Sequence, residues 1–276
     1  MYPRRITPAV IATTLFFSGL NIRTQLKMKS AIKYLITLFI IFTALAARAS
    51  AADLSLGVQG EANALPWRNY KTTWSALPYV GYDNAHWYVD GLDAGVYAVN
   101  DGVNQLKARL FYLDMEFDPK RSHASRMREL DNRHATMMGG VSYQRITPVG
   151  AFRAELSTDT LGESNGLLGT LAWAGQVSLT GVDIYPEAGV DWLNAQQARY
   201  YYGISREEAS RSGMSAYSPG QAFSPWLAVA ADWHVTSHLH FYLQPRITFL
   251  PAPLRHSPMV SQSHFWTLNS GLVWTF

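Results

Sequence analysis

The chain contains no cysteine in its 276 residues. This absence excludes a disulfide framework, a thiol nucleophile and any zinc site built from thiolates. It also excludes a lipoprotein anchor, because the lipid of a lipoprotein is attached to a cysteine. The fold must therefore be held by backbone pairing, packing and the remaining polar side chains.

Charged residues are also scarce, at 16% of the chain, against roughly 25% in an average soluble domain. Their distribution is uneven, since residues 1–51 carry seven basic side chains and no acidic one, whereas residues 52–276 carry 16 basic and 20 acidic ones. A slightly acidic body excludes a basic domain that binds nucleic acid. Aromatic residues are abundant, with 12 Phe, 9 Trp and 15 Tyr.

The basic excess at the N-terminus is typical of a secretory signal. Residues 34–47 form an uncharged run of 14 residues, which follows two lysines and precedes a stretch of small residues. This order is that of a signal peptide, and the run is shorter than the roughly 20 residues of a membrane-spanning helix. We predict a signal peptide over 1–51, cleaved near Ala49 or Ala51, with translation starting at Met28. An uncleaved N-terminal anchor is the alternative.

After residue 52 the sequence shows no run of 18 apolar residues, so it predicts no membrane-spanning helix there. Apolar residues instead occupy every second position of many segments. In the last segment these residues are Trp266, Leu268, Leu272, Trp274 and Phe276. A period of two is that of a β-strand with one apolar and one polar face. The pattern predicts twelve strands, near residues 53–60, 73–82, 86–90, 92–99, 104–114, 134–145, 150–158, 166–180, 182–193, 225–235, 238–249 and 264–276.

The apolar faces of these strands are better suited to lipid than to a soluble core. The segments run for about ten residues, which is enough to cross a bilayer when tilted, and tryptophans lie at their ends, where an interfacial girdle would be. The chain also ends on an aromatic residue, Phe276, which we interpret as the assembly signal read by the barrel assembly machinery. The predicted fold class is all-β, a transmembrane antiparallel up-and-down β-barrel, and a secreted soluble sandwich is the alternative.

The links between predicted strands alternate in length. Short Asn/Asp/Gly/Pro/Ser turns alternate with long links at 61–72, 115–133, 159–165, 194–224 and 250–263, and Gly91 is the one short exception. Short periplasmic turns and long outer loops are typical of outer-membrane barrels. We expect twelve strands in one domain over 52–276, or ten if residues 86–99 form a single bent strand with a bulge at Gly91.

Several segments resemble the MipA/OmpV family of outer-membrane proteins, which is named for an interaction with a murein lytic transglycosylase. The most specific lies in residues 200–219, where the matching residues are Tyr201, Tyr202, Gly203, Ser205, Glu208, Ala209, Ser212, Gly213 and Tyr217. Further matches are Leu130–Arg133, Asp159 with Asn165 and Gly166, and Ser257–Val260. The resemblance implies an outer-membrane barrel of a Gram-negative cell, a scaffold that links murein-remodelling enzymes, a lytic transglycosylase and a synthase, to that membrane.

The charged side chains at the strand positions that alternate with the apolar ones are expected to face the lumen. They are Lys107, Arg109, Arg153, Glu155, Glu187, Asp191, Asp232 and Arg246. Opposite charges on neighbouring strands can pair and fill a narrow barrel, and twelve strands enclose less space than the 16–18 of aqueous porins. We expect a plugged or narrow lumen. A narrow channel or solute-uptake pore with charge selectivity is the alternative function.

The histidines raise two possible functions, a zinc site and a hydrolase active site. His234, His238 and His240 could ligate zinc together with Asp232. Polar histidines are also usual at a barrel rim, so we predict that these histidines lie at the rim and bind no metal. An outer-membrane hydrolase would need an ordered Ser/His/Asp set; the sequence lacks a G-x-S-x-G motif, and His123, His134 and His264 have no adjacent acid. We therefore expect no catalytic residues, no enzyme and no cofactor.

Two long links are expected to be extracellular. The link at 115–133 is rich in arginine over residues 119–133 and could face anionic lipopolysaccharide or simply be solvated. Outer-membrane lipid and lipopolysaccharide are the expected surroundings. The link at 194–224 contains Ser205 followed three residues later by Glu208, which predicts a capping box and a short helix ending at Gly213. We expect this link to be ordered and to fold into the barrel mouth.

Overall fold

The computed structural model describes residues 54–276 as an antiparallel β-barrel. The predicted signal peptide, its cleavage site and the start at Met28 lie outside the described residues. The strands are β1 (Leu54–Ala64), β2 (Thr73–Asp83), β3 (Trp87–Asp90), β4 (Asp93–Asn100), β5 (Asn104–Leu113), β6 (Thr136–Thr147), β7 (Gly150–Asp159), β8 (Leu167–Ala174), β9 (Val177–Leu179), β10 (Val182–Leu193), β11 (Ala222–His234), β12 (Leu239–Phe249) and β13 (His264–Thr275).

The barrel closes through the pairing of β13 with β1. β8 and β9 both pair with β10 and together form one wall strand, interrupted after Ala174, so the wall has twelve strands. The prediction of twelve is confirmed, although the predicted strand over 166–180 is broken in two. The ten-strand alternative is wrong, because Gly91 adopts a left-handed φ of 57° and turns the chain so that β3 and β4 pair with each other.

Each strand presents one face outward and one inward. Leu171 and Leu227 are 61% and 54% exposed on the outer face, whereas their sequence neighbours Thr170 and Ala228 are buried in the lumen. In water an apolar belt of this kind would be unfavourable, but in a bilayer it is the side that meets lipid. The assignment of the apolar parity to lipid is therefore borne out by the architecture.

The connections differ sharply between the two ends of the barrel. One end has five turns of two to four residues, and Leu54 and Phe276 lie there too. The other end has long connections, at 65–72, 114–135, 160–166, 194–221 and 250–263, and only the turn between β3 and β4 is short. By the length rule for outer-membrane barrels, the short-turn end is periplasmic and the other is extracellular.

The long connections fold together over the extracellular mouth, and we call these five segments the cap. They contain α1 (Ala195–Tyr202), α2 (Arg206–Ser212), α3 (Ala252–Arg255) and two 3-10 helices, Pro119–Arg121 and Ser125–Glu129. No helix within residues 54–276 is long and apolar enough to cross a membrane.

The main hydrophobic core of the described chain lies beneath and within the cap rather than at mid-barrel. Its most deeply buried members are Trp67, Phe117, Met127, Met138, Ala198, Tyr201, Tyr202, Leu254 and Met259. Trp67 and Phe117 contact edge to face with ring centroids 5.1 Å apart, and Tyr70 stacks on Phe117 at 5.6 Å. Each such side chain buried from water contributes roughly 1.5–3 kcal/mol, so the cap has enough apolar contact to be ordered.

Candidate functional site

An ionic network centred on Arg109 lies on the inner face of one wall of the barrel. Its guanidinium pairs with Asp93 and, at 2.7 Å, with Glu155, and the side chains of Arg109 and Glu155 are 3% and 7% exposed. Arg153 Nε lies 3.4 Å from Glu155, and Ser142 donates to the same carboxylate at 3.1 Å. Because these residues come from four strands of one wall, the network ties that wall together and occupies its inner face.

A second network lies on β10, β11 and β12. Arg246 pairs with Asp191 at 2.5 Å and places its guanidinium 4.1 Å from the centre of the Trp226 ring. Trp226 Nε1 donates to Asp191 at 3.1 Å. Lower on the same strands, Gln244 donates to Glu187 at 2.7 Å. The cation, the ring and the carboxylate thus satisfy one another without a ligand.

Between these networks and the cap lies a small internal cavity of about 100 Å³. Its floor is polar and includes Arg109, Glu155, Asp191 and Arg246, and its roof is apolar and includes Phe111, Leu193, Tyr202, Leu250 and Leu254. A site of this size and polarity can hold several water molecules, at roughly 10–15 Å³ each. It provides fixed charges on one side and an apolar surface on the other.

Two tyrosines of α1 form the centre of the roof. Tyr201 and Tyr202 are 0% and 2% exposed, and Tyr201 donates its hydroxyl to the His134 carbonyl at 3.1 Å. Asn194 caps the N-terminus of α1, and its side chain accepts a hydrogen bond from the backbone N–H of Gln197. Burial raises the pKa of Tyr202 above its ordinary value, so the phenol stays neutral. The expectation that this link folds into the mouth is confirmed.

α2 is fixed by the predicted capping box, which is present in both directions between Ser205 and Glu208. Glu208 is also the acceptor for Arg133, at 2.7 Å, and for the backbone N–H of Asp131, at 2.9 Å. Burial works to raise the pKa of Glu208, but the N–H groups of Ser205 and Asp131 and the Arg133 guanidinium outweigh it and lower the pKa. The sequence predicted the capping box and marked Arg133 as a motif residue, but it did not predict that Arg133 pairs with Glu208, 75 residues away.

The remaining motif residues keep the two helices in place. Gly203 leaves no space for a side chain, since a Cβ there would lie 2.4 Å from the Arg199 carbonyl oxygen. Gly213 ends α2 in the left-handed region with φ 65°, as the sequence predicted. Ser212 donates to the Glu208 carbonyl at 2.6 Å, and Tyr217 donates to the Pro253 carbonyl at 2.9 Å.

The motif around Asp159 closes a neighbouring loop of the cap. Its carboxylate accepts from Thr136 and from backbone N–H groups that include those of Ser164 and Asn165. Ser164 in turn donates to Gln197 of α1 at 2.6 Å. These matched residues therefore act as hydrogen-bond anchors between cap segments.

The sequence did not predict one buried carboxyl group, that of Asp114. Asp114, directly after β5, is 1% exposed, and neither carboxylate oxygen has a hydrogen-bond partner. Burial, followed by the charges of Glu61 and Glu116, raises its pKa to about 10. Asp114 is therefore protonated at neutral pH, and no local pattern of residues signals such a position.

The other candidate residues lie at the periplasmic end or the outer rim. Lys107 places its ammonium 4.4 Å from the Tyr88 ring centre. Asp232 lies near the periplasmic end and contacts His234 and His240. His238 lies apart from them and stacks on Trp274, with ring centroids 5.4 Å apart. Phe276 is 49% exposed, and its N–H donates to the Leu54 carbonyl at 3.0 Å.

Within residues 54–276, the histidine–carboxylate ion pairs all involve His234 or His240. His264 contacts the Ser263 hydroxyl at 3.2 Å, and the His134 N–H donates to Tyr200 at 2.7 Å.

The comparisons with known proteins agree with this architecture. The family model described as "MltA-interacting protein MipA" matches residues 54–276. The protein named MltA-interacting protein in Escherichia coli K12 is 34% identical over 211 residues, which cover 76% of this chain and 85% of the relative. The putative outer membrane protein YiaT of the same strain is 29% identical over 230 residues, covering 83% and 94%.

Among solved structures, the β domain of the Bordetella autotransporter BrkA has a TM-score of 0.41 at 12% identity, covering 81% of this chain and 100% of that one. A score of this size carries no argument about function, and the barrel is established by the strand pairing of this chain itself. These relatives are named as interacting or outer-membrane proteins rather than as enzymes. The chain therefore belongs to the MltA-interacting protein (MipA) family and is an outer-membrane β-barrel protein of a Gram-negative cell.

Proposed function

We propose that this protein is a non-conducting, non-enzymatic scaffold that holds murein-remodelling enzymes, a lytic transglycosylase and a synthase, at the periplasmic side of the outer membrane. The observation that carries the proposal is the occupied lumen: buried ion pairs such as Arg109–Glu155 line its inner wall, and the buried Tyr201 and Tyr202 cover its mouth. A barrel of this form is a poor path for solutes. The name of the E. coli relative supports the choice of partner.

The periplasmic face offers one strand edge to such a partner. β9 pairs with β10 on one side and with no other strand of residues 54–276 on its second side. All three of its residues are exposed, with Val177 at 48% and Leu179 at 57%. An open edge can take an added strand through backbone hydrogen bonds, while alternate side chains give specificity. We place the enzyme contact on this edge.

Site-specific photocrosslinking tests the contact. A photoreactive residue at Ser178 in β9 is expected to crosslink in cells to the periplasmic lytic transglycosylase or to the synthase. The same group at Ser210, which is exposed in α2 of the extracellular cap, is the matched control and should give neither product. Equal yields from both positions, or none from Ser178 when the barrel is folded, would contradict the proposed edge.

Planar-bilayer recording tests the non-conducting state. The purified protein is expected to give no stepwise conductance, because the lumen networks and the cap block the path. Regular single-channel steps would overturn the scaffold reading and favour the narrow solute-uptake pore.

A further inference from the structure

A cluster of metal-binding side chains lies at the periplasmic end of the lumen. Asp232 and His234 are two residues apart on the inner face of β11, and His240 of β12 is the cross-strand partner of His234. Asp183 of β10 is the cross-strand partner of Asp232. Three adjacent strands thus bring two imidazoles and two carboxylates to one point, and we call these four residues the rim cluster.

The distances within the rim cluster suit a shared cation. His240 Nδ1 lies 3.4 Å from Asp232 Oδ2, and His234 Nε2 lies 3.7 Å from the same oxygen. The ligand atoms of these three residues all lie within 4.8 Å of one another. Ligands about 2.0–2.1 Å from a tetrahedral Zn²⁺ are separated by roughly 3.3 Å, whereas direct charge-assisted hydrogen bonds are about 2.7–2.9 Å long. The 3.4 and 3.7 Å separations are therefore closer to those of ligands that share one cation than to those of direct hydrogen bonds.

Two further observations point to a ligand. Asp232 is 8% exposed, and its Oδ1 has no hydrogen-bond partner in the described chain. Asp183 faces it across the β10–β11 pair and lies 3.2 Å from His234 Nε2. Both carboxylates thus lie within 3.7 Å of the same imidazole nitrogen, and two negative charges beside one group repel each other unless a cation lies between them. The half-exposed His234, with 41% of its side chain accessible, leaves the cluster open to the periplasm.

We propose that Asp232, His234 and His240 bind one Zn²⁺ ion, with Asp183 as the fourth ligand or as the hydrogen-bond partner of a ligating histidine. Two neutral imidazoles and carboxylate oxygens form a donor set that suits zinc. A carboxylate beside a ligating histidine also fixes the orientation of its ring. The bound ion would tie β10, β11 and β12 together at the periplasmic end, and this inference is independent of the proposed scaffold function.

The structure also explains why the sequence pointed away from a metal. His238 and His240 look like a pair on one strand, but the chain turns at residues 235–238 and His238 contacts Trp274 and the Thr275 carbonyl instead. Asp183, which replaces it in the cluster, is 49 residues or more from the other members and is brought there only by strand pairing.

Calorimetric titration of the full folded protein in detergent, without a histidine tag and after chelator treatment, tests the site with ZnCl₂ alone. We expect one equivalent to bind, and we expect His240→Ala to bind at least a hundredfold more weakly. His238→Ala is the matched control, since it removes a histidine from the same hairpin outside the rim cluster, and it should bind as the unaltered chain does. No binding to the unaltered chain, or equal losses in both variants, would overturn the proposal.

A second measurement does not depend on any variant folding. Co²⁺ added to the unaltered protein should give the visible absorption bands of a tetrahedral nitrogen and oxygen site, and one equivalent of Zn²⁺ should abolish them. A spectrum identical to that of Co²⁺ in buffer would also reject the site.

Discussion

Glu208 holds together three parts of the cap. Its carboxylate completes the capping box with Ser205, accepts from Asp131 and pairs with Arg133. The side chains of Glu208 and Arg133 are 3% and 8% exposed, so the pair is shielded from water. Removing one partner of a buried pair leaves the other charge uncompensated.

Glu208→Gln should therefore weaken the cap by on the order of 3 kcal/mol without unfolding the barrel. Trypsin added to intact cells should cleave at Arg206 or Arg211 in this variant and should leave the unaltered cap intact. Glu207→Gln is the control, because Glu207 is its exposed neighbour on the same helix. Equal resistance in both variants would mean that the Arg133 pair contributes little to the order of the cap.

The buried carboxyl group of Asp114 makes the stability of the barrel fall as the pH rises. Burial, followed by the charges of Glu61 and Glu116, raises its folded pKa to about 10, above the ordinary 3.8. A raised pKa means that the stability contribution is fully present below about pH 4 and is lost as the pH rises through the folded pKa. Asp114→Asn should remove this loss and be more stable than the unaltered protein at pH 9. The midpoint of heat denaturation, followed by the gel mobility of unheated samples at pH 5 and pH 9, measures it.

The control for Asp114→Asn is Glu129→Gln, which changes an exposed carboxylate of the same cap segment. It should leave the pH dependence as it is in the unaltered protein. An unchanged pH dependence in Asp114→Asn would show that another group causes it.

At the scale of elements, β13 closes the barrel and ends beside an aromatic residue. Phe276 follows the outward parity of Trp274 and joins β1 through its N–H. We predict that deleting Phe276 sharply reduces the amount of barrel in the outer membrane, whereas Thr275→Ser does not. Quantitative immunoblotting of outer-membrane fractions measures it, and equal yields would reject Phe276 as the assembly signal.

The outer face of a strand should reject charge. Leu171 lies within β8 and is 61% exposed, so Leu171→Arg places a cation in lipid at a cost of about 2–4 kcal/mol near the midplane. Val149→Arg is the control, since Val149 is 70% exposed in the turn between β6 and β7, outside the wall. Urea titration of the folded barrels in lipid vesicles should show the lower midpoint only for Leu171→Arg.

At the scale of the whole molecule, the cap and the short turns define the orientation in the membrane. Because the chain has no cysteine, a single introduced thiol reports its own location. Ser210→Cys in α2 should react with a membrane-impermeant maleimide in intact cells. Val149→Cys at the opposite end should react only after the outer membrane is opened. The reverse order of labelling would invert the topology.

Much of this architecture follows from local chemistry, so the sequence alone determines it. The two-residue period fixes which side chains face outward, because successive side chains of a strand point to opposite faces. Turn residues set the hairpins, which is why twelve strands could be predicted. The sequence also predicts the capping box from Ser205 to Glu208 and the end of α2 at Gly213, because each involves residues within one or two helical turns.

Only the tertiary structure decides which distant residues meet. Arg133 reaches Glu208, and Asp183 joins His234 and Asp232, through contacts that depend on the closure of the barrel and the folding of the cap. The burial of Asp114 and the break between β8 and β9 also arise from neighbours far away in the chain. Hydrophobic periodicity carries no information about such pairs, because it records the face on which each residue lies and not the distant residue that it contacts.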